Sequence, residues 1–286
     1  MTLLLKRQEI RQLLDLPRAM QILERVYQDQ ARRGIDAVPP LRLMNRGLRL
    51  VAGRLKLQNT VGVRLSVTGS RALALIYEVD SGKLLSIMDY PFSNLRIAAT
   101  VGLALERLTK PGARTAGLIG SGAIAPSLIQ AVTALRPIEE IKVYSRNPER
   151  RAKFAQNATE KFAVPVRAVD SAQQAVEAAD IVLVSTNSPE PALMGQWLRP
   201  GVPVFGTGRP NEFDDDVYLR AKLIIVSSKE HELGYYDKNL DKPLLRLAGE
   251  GKINWDEVAE LGQIVANQIE VDPGSNKIYV FRESQG

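Results

Sequence analysis

In the stretch "RTAGLIGSGAIAPSLIQA", Arg114–Ala131, a short apolar run meets a glycine cluster and passes into a helix-like segment. That is the layout of a dinucleotide-binding βα turn. Gly120, Gly122 and Ala125 fit the spacing G-x-G-x-x-A. The first glycine permits the tight turn, the second lets backbone approach a pyrophosphate, and the small third residue allows close helix–strand packing. The helix that follows offers free N–H groups and a positive dipole end to phosphates, so Ala123 and Ile124 join the two glycines as candidate cofactor contacts. Pro126 falls in the first helical turn, where its missing N–H is not needed.

Downstream of this turn, "IKVYS", "PVRAV", "DIVLVS", "VPVFG" and "KLIIVS" are short apolar runs separated mostly by helix-like segments. Such alternation predicts a parallel sheet with helices on both faces. The alternation ends near Ser228. Upstream, "LKRQEIRQLLDLPRAMQILERVYQDQARRGI" reads as two helices, with Pro17 opening the second and Gly34 ending it. Strand-like runs follow: "LRLVAGRLKL", "VGVRLSV", "ALALIYEVD" and, across the turn "DSGK", "LLSIMDY". "NLRIAATVGLALERL" has helical period, and "TKPGAR" is a linker. Past Ser228 come a polar loop, a helix around "WDEVAELGQIVANQI" and a last strand-like "KIYVF". The expected fold is therefore α/β: a Rossmann-type parallel sheet domain (113–230) inserted between an N-terminal part (1–112) and a return segment (231–286) of a mixed α+β domain.

The second strand of the inserted unit leads into "SRNPERR". Sites that prefer NAD usually carry an acid here to hold the ribose hydroxyls. Arg146 instead suits a 2′-phosphate, with Ser145 and Asn147 as hydrogen-bonding neighbours. NADP(H) is the expected cofactor, with NAD(H) a possible second. Ser185, Thr186 and Asn187 in "VSTNSPEP", and Gly206 in "VFGTGRP", fall at carboxyl ends of strands, over the cofactor.

Composition bounds the rest. The chain has 286 residues, 45% of them hydrophobic, enough for a sizeable core, and a formal charge of +6. It has no cysteine, which excludes disulfides, zinc–thiolate sites and a thiol nucleophile, and fits a cytoplasmic protein. The N-terminus has neither the apolar run of a signal peptide nor that of a membrane span. Lys and Arg are dispersed and aromatics are only 6%, which argues against nucleic acid as a partner. The single histidine, His231 in "SSKEHELG", reads as part of a surface helix.

The order "PPLRLM", "GVRLSV", "GKLLSIMDYPFSNLRIAATVGLALERL", "GLIGSGAIA", "VYSRNPERRAKFA", "PALMGQWLRPG", "EFDDDVYLRAKLIIVSS", "AELGQIV" and "IYVFRESQG" resembles the ornithine cyclodeaminase/mu-crystallin family over nearly the whole chain. The resemblance implies NAD(P)-linked chemistry on small α-amino or α-imino acids, and a homodimer formed through the non-Rossmann domain. It places substrate-carboxylate arginines at Arg42 and Arg96 and a glutamate near the substrate at Glu260. Where the family usually has a lysine at the substrate, this chain has Arg64, which keeps the charge but is a poor proton shuttle. Where cyclodeaminases place an aspartate, it has Gly208, followed by Arg209 and Pro210 as in ketimine reductases. The family also implies a further helix after "ESQG", which this sequence does not include. These features together point to NADPH-dependent reduction of a small α-imino acid. An amino acid dehydrogenase, a cyclodeaminase or a non-catalytic NADPH-binding protein are the alternatives, and Glu260 or solvent is the expected proton source.

Overall fold

A computed structural model of the chain describes residues 1–38, 41–42, 47–67, 72–89, 93–234 and 241–283. Two sheets organise it. The N-terminal part contains β1 (Leu3–Leu5), α1 (Arg7–Leu13), α2 (Leu16–Ala31), β2 (Ile35–Ala37), β3 (Leu41–Arg42), β4 (Leu48–Leu55), β5 (Thr60–Val67), β6 (Leu73–Glu78), β7 (Leu84–Asp89) and α3 (Ser93–Leu108). The remainder contains β8 (Thr115–Ile119), α4 (Ala125–Leu135), β9 (Glu140–Tyr144), α5 (Pro148–Phe162), β10 (Val166–Ala168), α6 (Ala172–Val176), β11 (Ile181–Val184), β12 (Val204–Gly206), α7 (Asp215–Leu219), β13 (Ala221–Val226), α8 (Lys229–Gly234), α9 (Pro243–Gly249), β14 (Ala259–Glu260), α10 (Leu261–Val265) and β15 (Ile278–Arg282).

The first sheet is mixed. Its strands run in the order β1-β7-β6-β5-β4-β2, with β3 also paired to β4, and only the β1–β7 pairing is parallel. The pleat sends alternate residues to opposite faces. Val51, Arg64 and Ala74 are in register on one face, which turns toward α2 and α3. Ala52, Val63, Leu75 and Ile87 are in register on the other, and each is only half-buried.

The second sheet is wholly parallel, in the order β10-β9-β8-β11-β12-β15-β13-β14. Its strands are buried on both faces, which explains their near-continuous apolar runs. Leu118, Ile141 and Leu183 pack on the side of α3 and α4, while Val182, Val204 and Val280 pack on the opposite side. The α3 side shares one core with α2 and α3, so the two sheets are joined by packing as well as by chain.

Three sequence-based expectations need correction. The return segment does not simply complete the first domain: β15 enters the parallel sheet between β12 and β13. Of that segment, α10 is what packs back on α2, with Gly262 against the Tyr27 carbonyl. The expected helix around "WDEVAELGQIVANQI" is broken into a 3₁₀ turn, the short strand β14 and α10. The helix before Gly34 is closed by Arg33 in the left-handed region (φ 58°), while Gly34 N–H donates to the Asp29 carbonyl at 2.7 Å. No helix among the described residues is long and apolar enough to cross a membrane.

Candidate active site

The carboxyl ends of β8, β9 and β11 open onto a cleft of about 600 Å³. Gly120, Gly122, Ser145, Arg146, Asn147, Ser185, Thr186 and Asn187 all line it. The two glycines serve different ends. Gly120 has φ +109°, and a Cβ there would lie 2.0 Å from the Ser185 carbonyl oxygen, so the close approach of β11 demands glycine. A Cβ on Gly122 would meet nothing within 4 Å, because that face is the open floor of the cleft. Gly120 N–H donates to the Tyr144 carbonyl, whereas the N–H groups of Ser121, Gly122 and Ala123 find no acceptor among the described residues. Of these, Ser121 and Gly122 line the cleft just ahead of the α4 N-terminus, a placement suited to a pyrophosphate.

The turn is held from two sides. Ser121 Oγ donates to Ser145 Oγ at 2.9 Å, tying the glycines to the end of β9. Asn94, at the start of α3, donates to the Ala123 carbonyl at 3.0 Å. Behind "SRN", the buried Arg151 donates to the Ser145 carbonyl, pairs with Asp170 at 2.7 Å and stacks over the Tyr144 ring. That leaves Arg146 exposed at the cleft wall, joined by Arg150, and neither has an ion-pair partner among the described residues. Among the described residues, no Asp or Glu lines this cleft. Asn147 Oδ1 is occupied as the cap of α5, accepting from Arg150 N–H at 2.8 Å.

A second cavity, about 450 Å³, lies between α2, α3 and the inward face of the mixed sheet. Its walls are largely apolar: Leu23, Val26, Ile35, Val51, Leu55 and Ile76 contribute. Its polar lining includes Arg64, Arg96, Tyr27, His231 and Glu283, and the charges of Arg96 and Glu283 act on both Tyr27 and His231. Arg96 Nη1 donates to Glu283 at 2.9 Å. Burial pushes the Tyr27 hydroxyl up to about 12, so it stays a neutral group. Because Asn94 and Arg96 share α3, one helix touches the glycine turn and the second cavity.

Beneath the loops over the cleft lies a buried charge cluster. Arg282, fully buried, sits 3.4 Å from Glu212 and 3.3 Å from Glu232, with its guanidinium over the Phe213 ring. Glu212 also accepts from the backbone N–H groups of Gly208 (3.0 Å) and Thr186, fastening the "VSTN" and "GTGR" loops together. Burial pushes the Glu212 carboxyl up to about 8, against the pull of Arg282 and those N–H groups.

Several expected site residues fall elsewhere. Gly206 faces away from the cleft; a Cβ there would strike Glu212 and Phe213, so its small size makes room for the charge cluster. Ala123 and Ile124 are not among the lining residues, and Ile124 packs against the core. Glu260 does not line the cavity. Its Oε1 accepts from Lys229 N–H at 2.8 Å and Gln30 at 3.4 Å, and Gln263 accepts from its backbone N–H. It is thereby committed to capping α10 and joining α8 to α2. Arg209 lines neither space; its carbonyl, not its guanidinium, is engaged, accepting from Glu212 N–H and Arg282. Arg42 pairs through its backbone with Arg49, and its side chain, like Pro39, Pro40 and the terminal Ser284–Gly286, lies outside what is described. His231, read as a surface residue, is instead mostly buried and faces the cavity. Sequence reading missed Ser121, Asn94, Arg150, Glu212, Arg282 and Glu283. Of these, Ser121, Asn94 and Arg150 stood inside quoted motifs where their neighbours had already been singled out.

Residues 16–286 match the ornithine cyclodeaminase/mu-crystallin family, and the chain belongs to it. It is 30% identical to a Delta(1)-pyrroline-2-carboxylate reductase of Bacillus cereus over 73% of this chain and 65% of that one. It is 30% identical to mouse (Mus musculus) ketimine reductase mu-crystallin over 70% of this chain and 61% of that one. The aligned region thus spans somewhat under two thirds of these relatives. Among solved structures, the fold is similar to Thermococcus litoralis Delta(1)-pyrroline-2-carboxylate reductase in complex with NADH and L-proline. The TM-score is 0.85 at 25% identity, covering 99% of this chain and 92% of that one.

Proposed function

We propose that this member of the ornithine cyclodeaminase/mu-crystallin family catalyses NADPH-dependent reduction of a small α-imino acid. The observation that carries the reading is the pairing of an apolar cavity bearing two guanidiniums, Arg64 and Arg96, with a dinucleotide-shaped cleft braced by the same helix. When bound, the nicotinamide supplies the hydride. The chain's own residues do the rest by positioning and electrostatics. Arg96, held by Glu283, and Arg64 bind the substrate carboxylate, and the planar guanidinium suits that task. The apolar walls take the ring or side chain and keep water away from the C=N group.

Gly208 weighs against cyclodeamination. A Cβ at this position would lie 2.3 Å from Glu212 Oε2 and 2.5 Å from the Thr186 carbonyl. There is no room for the acid that cyclodeaminases use. The cofactor preference rests on Arg146 and Arg150 in a cleft where no carboxylate among the described residues lines the wall to hold ribose hydroxyls. The homodimer rests on the outward face of the mixed sheet, where Val63, Leu75 and Ile87 form an apolar surface left half-exposed by the single chain.

NADPH consumption with pyrroline-2-carboxylate and piperideine-2-carboxylate, run beside ornithine, tests the reading. Turnover of an imino acid without proline formation from ornithine is expected. Proline formed from ornithine at a comparable rate overturns it, and tight NADPH binding with no imine turned over makes the protein a non-catalytic NADPH binder.

A further inference from the structure

The single histidine of the chain has an unusual position. His231 lies on α8 and lines the second cavity, as do Arg96, Arg64 and Glu283. Its Nε2 is buried and has no hydrogen-bond partner among the described residues. A buried ring nitrogen without a partner is costly, on the order of 1–3 kcal/mol, and such groups call for an explanation. The helix carrying it is pinned: the next residue, Glu232, is ion-paired to the buried Arg282 at 3.3 Å. Ser228 Oγ accepts from His231 N–H at 3.3 Å. The backbone that carries the imidazole is thus held in place, while the buried Nε2 beside the cavity has no partner among the described residues.

Resting on the reductase reading above, we propose that His231 is the proton-handling catalytic residue, its Nε2 serving the nitrogen of a substrate whose carboxylate is held by Arg96 and Arg64. In the reduction of a neutral imine, the imidazolium Nε2–H bond breaks and an N–H bond forms at the substrate nitrogen. The C=N π pair moves onto that nitrogen as the carbon takes the hydride and its electron pair from NADPH. The neutral imidazole then regains a proton from solvent. Among the described residues that share the cavity, no other side chain has an ordinary pKa close to neutrality: Arg64 and Arg96 hold their protons, and Glu283 is committed to Arg96.

The surrounding charges give this group a substrate-dependent setting. Burial lowers the His231 pKa, and Arg96 on α3 and Arg49 on β4 add to that lowering. Glu283, after β15, and Glu230, on α8 itself, pull in the opposite direction. Arg64, on β5, is a further cation lining the cavity. A carboxylate arriving on Arg96 and Arg64 offsets two of these cations. A bound carboxylate therefore raises the proton affinity of His231 relative to the empty site.

Because there is one histidine, its ring C–H resonance can be followed without ambiguity. The full-length protein with NADP⁺ is titrated by NMR with and without pyrrole-2-carboxylate, a planar carboxylate that cannot be reduced. The midpoint is expected below that of an ordinary histidine in its absence, rising by about one pH unit when the carboxylate binds. An unchanged midpoint with the ligand demonstrably bound overturns the proposal. His231→Gln keeps a polar group but no titration. It is expected to lower kcat by about 10²-fold, the scale of a lost acid–base group, and to remove the acid-side rise in the pH–rate profile, with NADPH affinity unchanged. A variant with wild-type kcat and pH profile overturns the assignment. If the wild-type protein reduces no imino acid, the reductase reading fails, while the NMR titration still decides whether His231 senses a carboxylate in the cavity.

Discussion

The Arg96 guanidinium and the Glu283 carboxylate meet at 2.9 Å although 187 positions separate them in the chain. Glu283 is completely closed off and Arg96 is 21% exposed, so a buried carboxylate anchors the guanidinium where it borders the cavity. Replacing Arg96 by Ala removes both a carboxylate ligand and the partner of a buried charge. The expected result is a loss of about 1.5–3 kcal/mol in kcat/KM for an imino acid, the scale of a charge-assisted hydrogen bond, carried mainly by KM. Stability should also fall, by about 3 kcal/mol, because the buried Glu283 loses this partner. Arg96→Lys should restore part of each, since a point charge replaces a planar fork. Steady-state kinetics and urea unfolding on both variants provide the check.

The two glycines of the βα turn should separate fold from binding. Gly122→Val places its side chain in open space, so the fold survives, but the cleft floor is blocked and NADPH binding by calorimetry should be lost. Gly120→Ala drives a Cβ to 2.0 Å from the Ser185 carbonyl at a φ that alanine rarely adopts, so it should destabilise the protein outright. A Gly122→Val protein with unchanged NADPH affinity would remove the cofactor from this cleft.

Arg146 is exposed on the wall of a cleft that no carboxylate among the described residues lines. Arg146→Asp should weaken NADPH by about 1.5–3 kcal/mol and leave NADH nearly unaffected. Arg150→Ala should act in the same direction with a smaller effect. Equal losses for both cofactors would show that neither arginine reads the 2′-phosphate.

Glu212 makes stability depend on pH. Its carboxyl titrates at about 8 in the folded chain, raised from 4.5 chiefly by burial. Between those values the folded state holds a proton that the unfolded state has released. The unfolded state then binds fewer protons, so the slope of stability with pH is negative. Stability should decline by a few kcal/mol as pH rises from about 4.5 toward 8, and Glu212→Gln should flatten that decline. Urea midpoints measured across the range for both proteins test it; parallel curves would refute the assignment.

The apolar outward face of the mixed sheet should be an interface between two copies. Light scattering at low micromolar concentration is expected to give twice the 31.5 kDa chain mass. Leu75→Glu, which puts a charge at the centre of that face, should give a folded monomer. A wild-type protein that scatters as a monomer would count against the pairing.

Much of this architecture was legible from local pattern. The period of two in "VGVRLSV", the glycine spacing at Gly120 and Gly122, and the alternation of apolar runs with helical segments each follow from a few neighbouring residues. The cleft residues Ser145, Arg146, Ser185, Thr186 and Asn187 were readable for the same reason, because in a parallel sheet the residues just past each strand gather at one end.

What escaped was whatever depends on pairing between distant segments. "KIYVF" announces a strand, but nothing in it says that the strand enters between β12 and β13. That insertion is what carries Arg282 and Glu283 into the interior, where one binds Glu212 and Glu232 and the other holds Arg96. Glu260 looked like a substrate-side acid and is occupied by Lys229 and Gln30; His231 looked solvated and faces the cavity. By itself, the sequence determined the two kinds of sheet and the cofactor turn, because periodicity and glycine conformation act over a few residues. Only the tertiary structure decided which charged side chains pair with one another and which line the cavity, because burial and ion pairing depend on segments brought together from far apart in the chain.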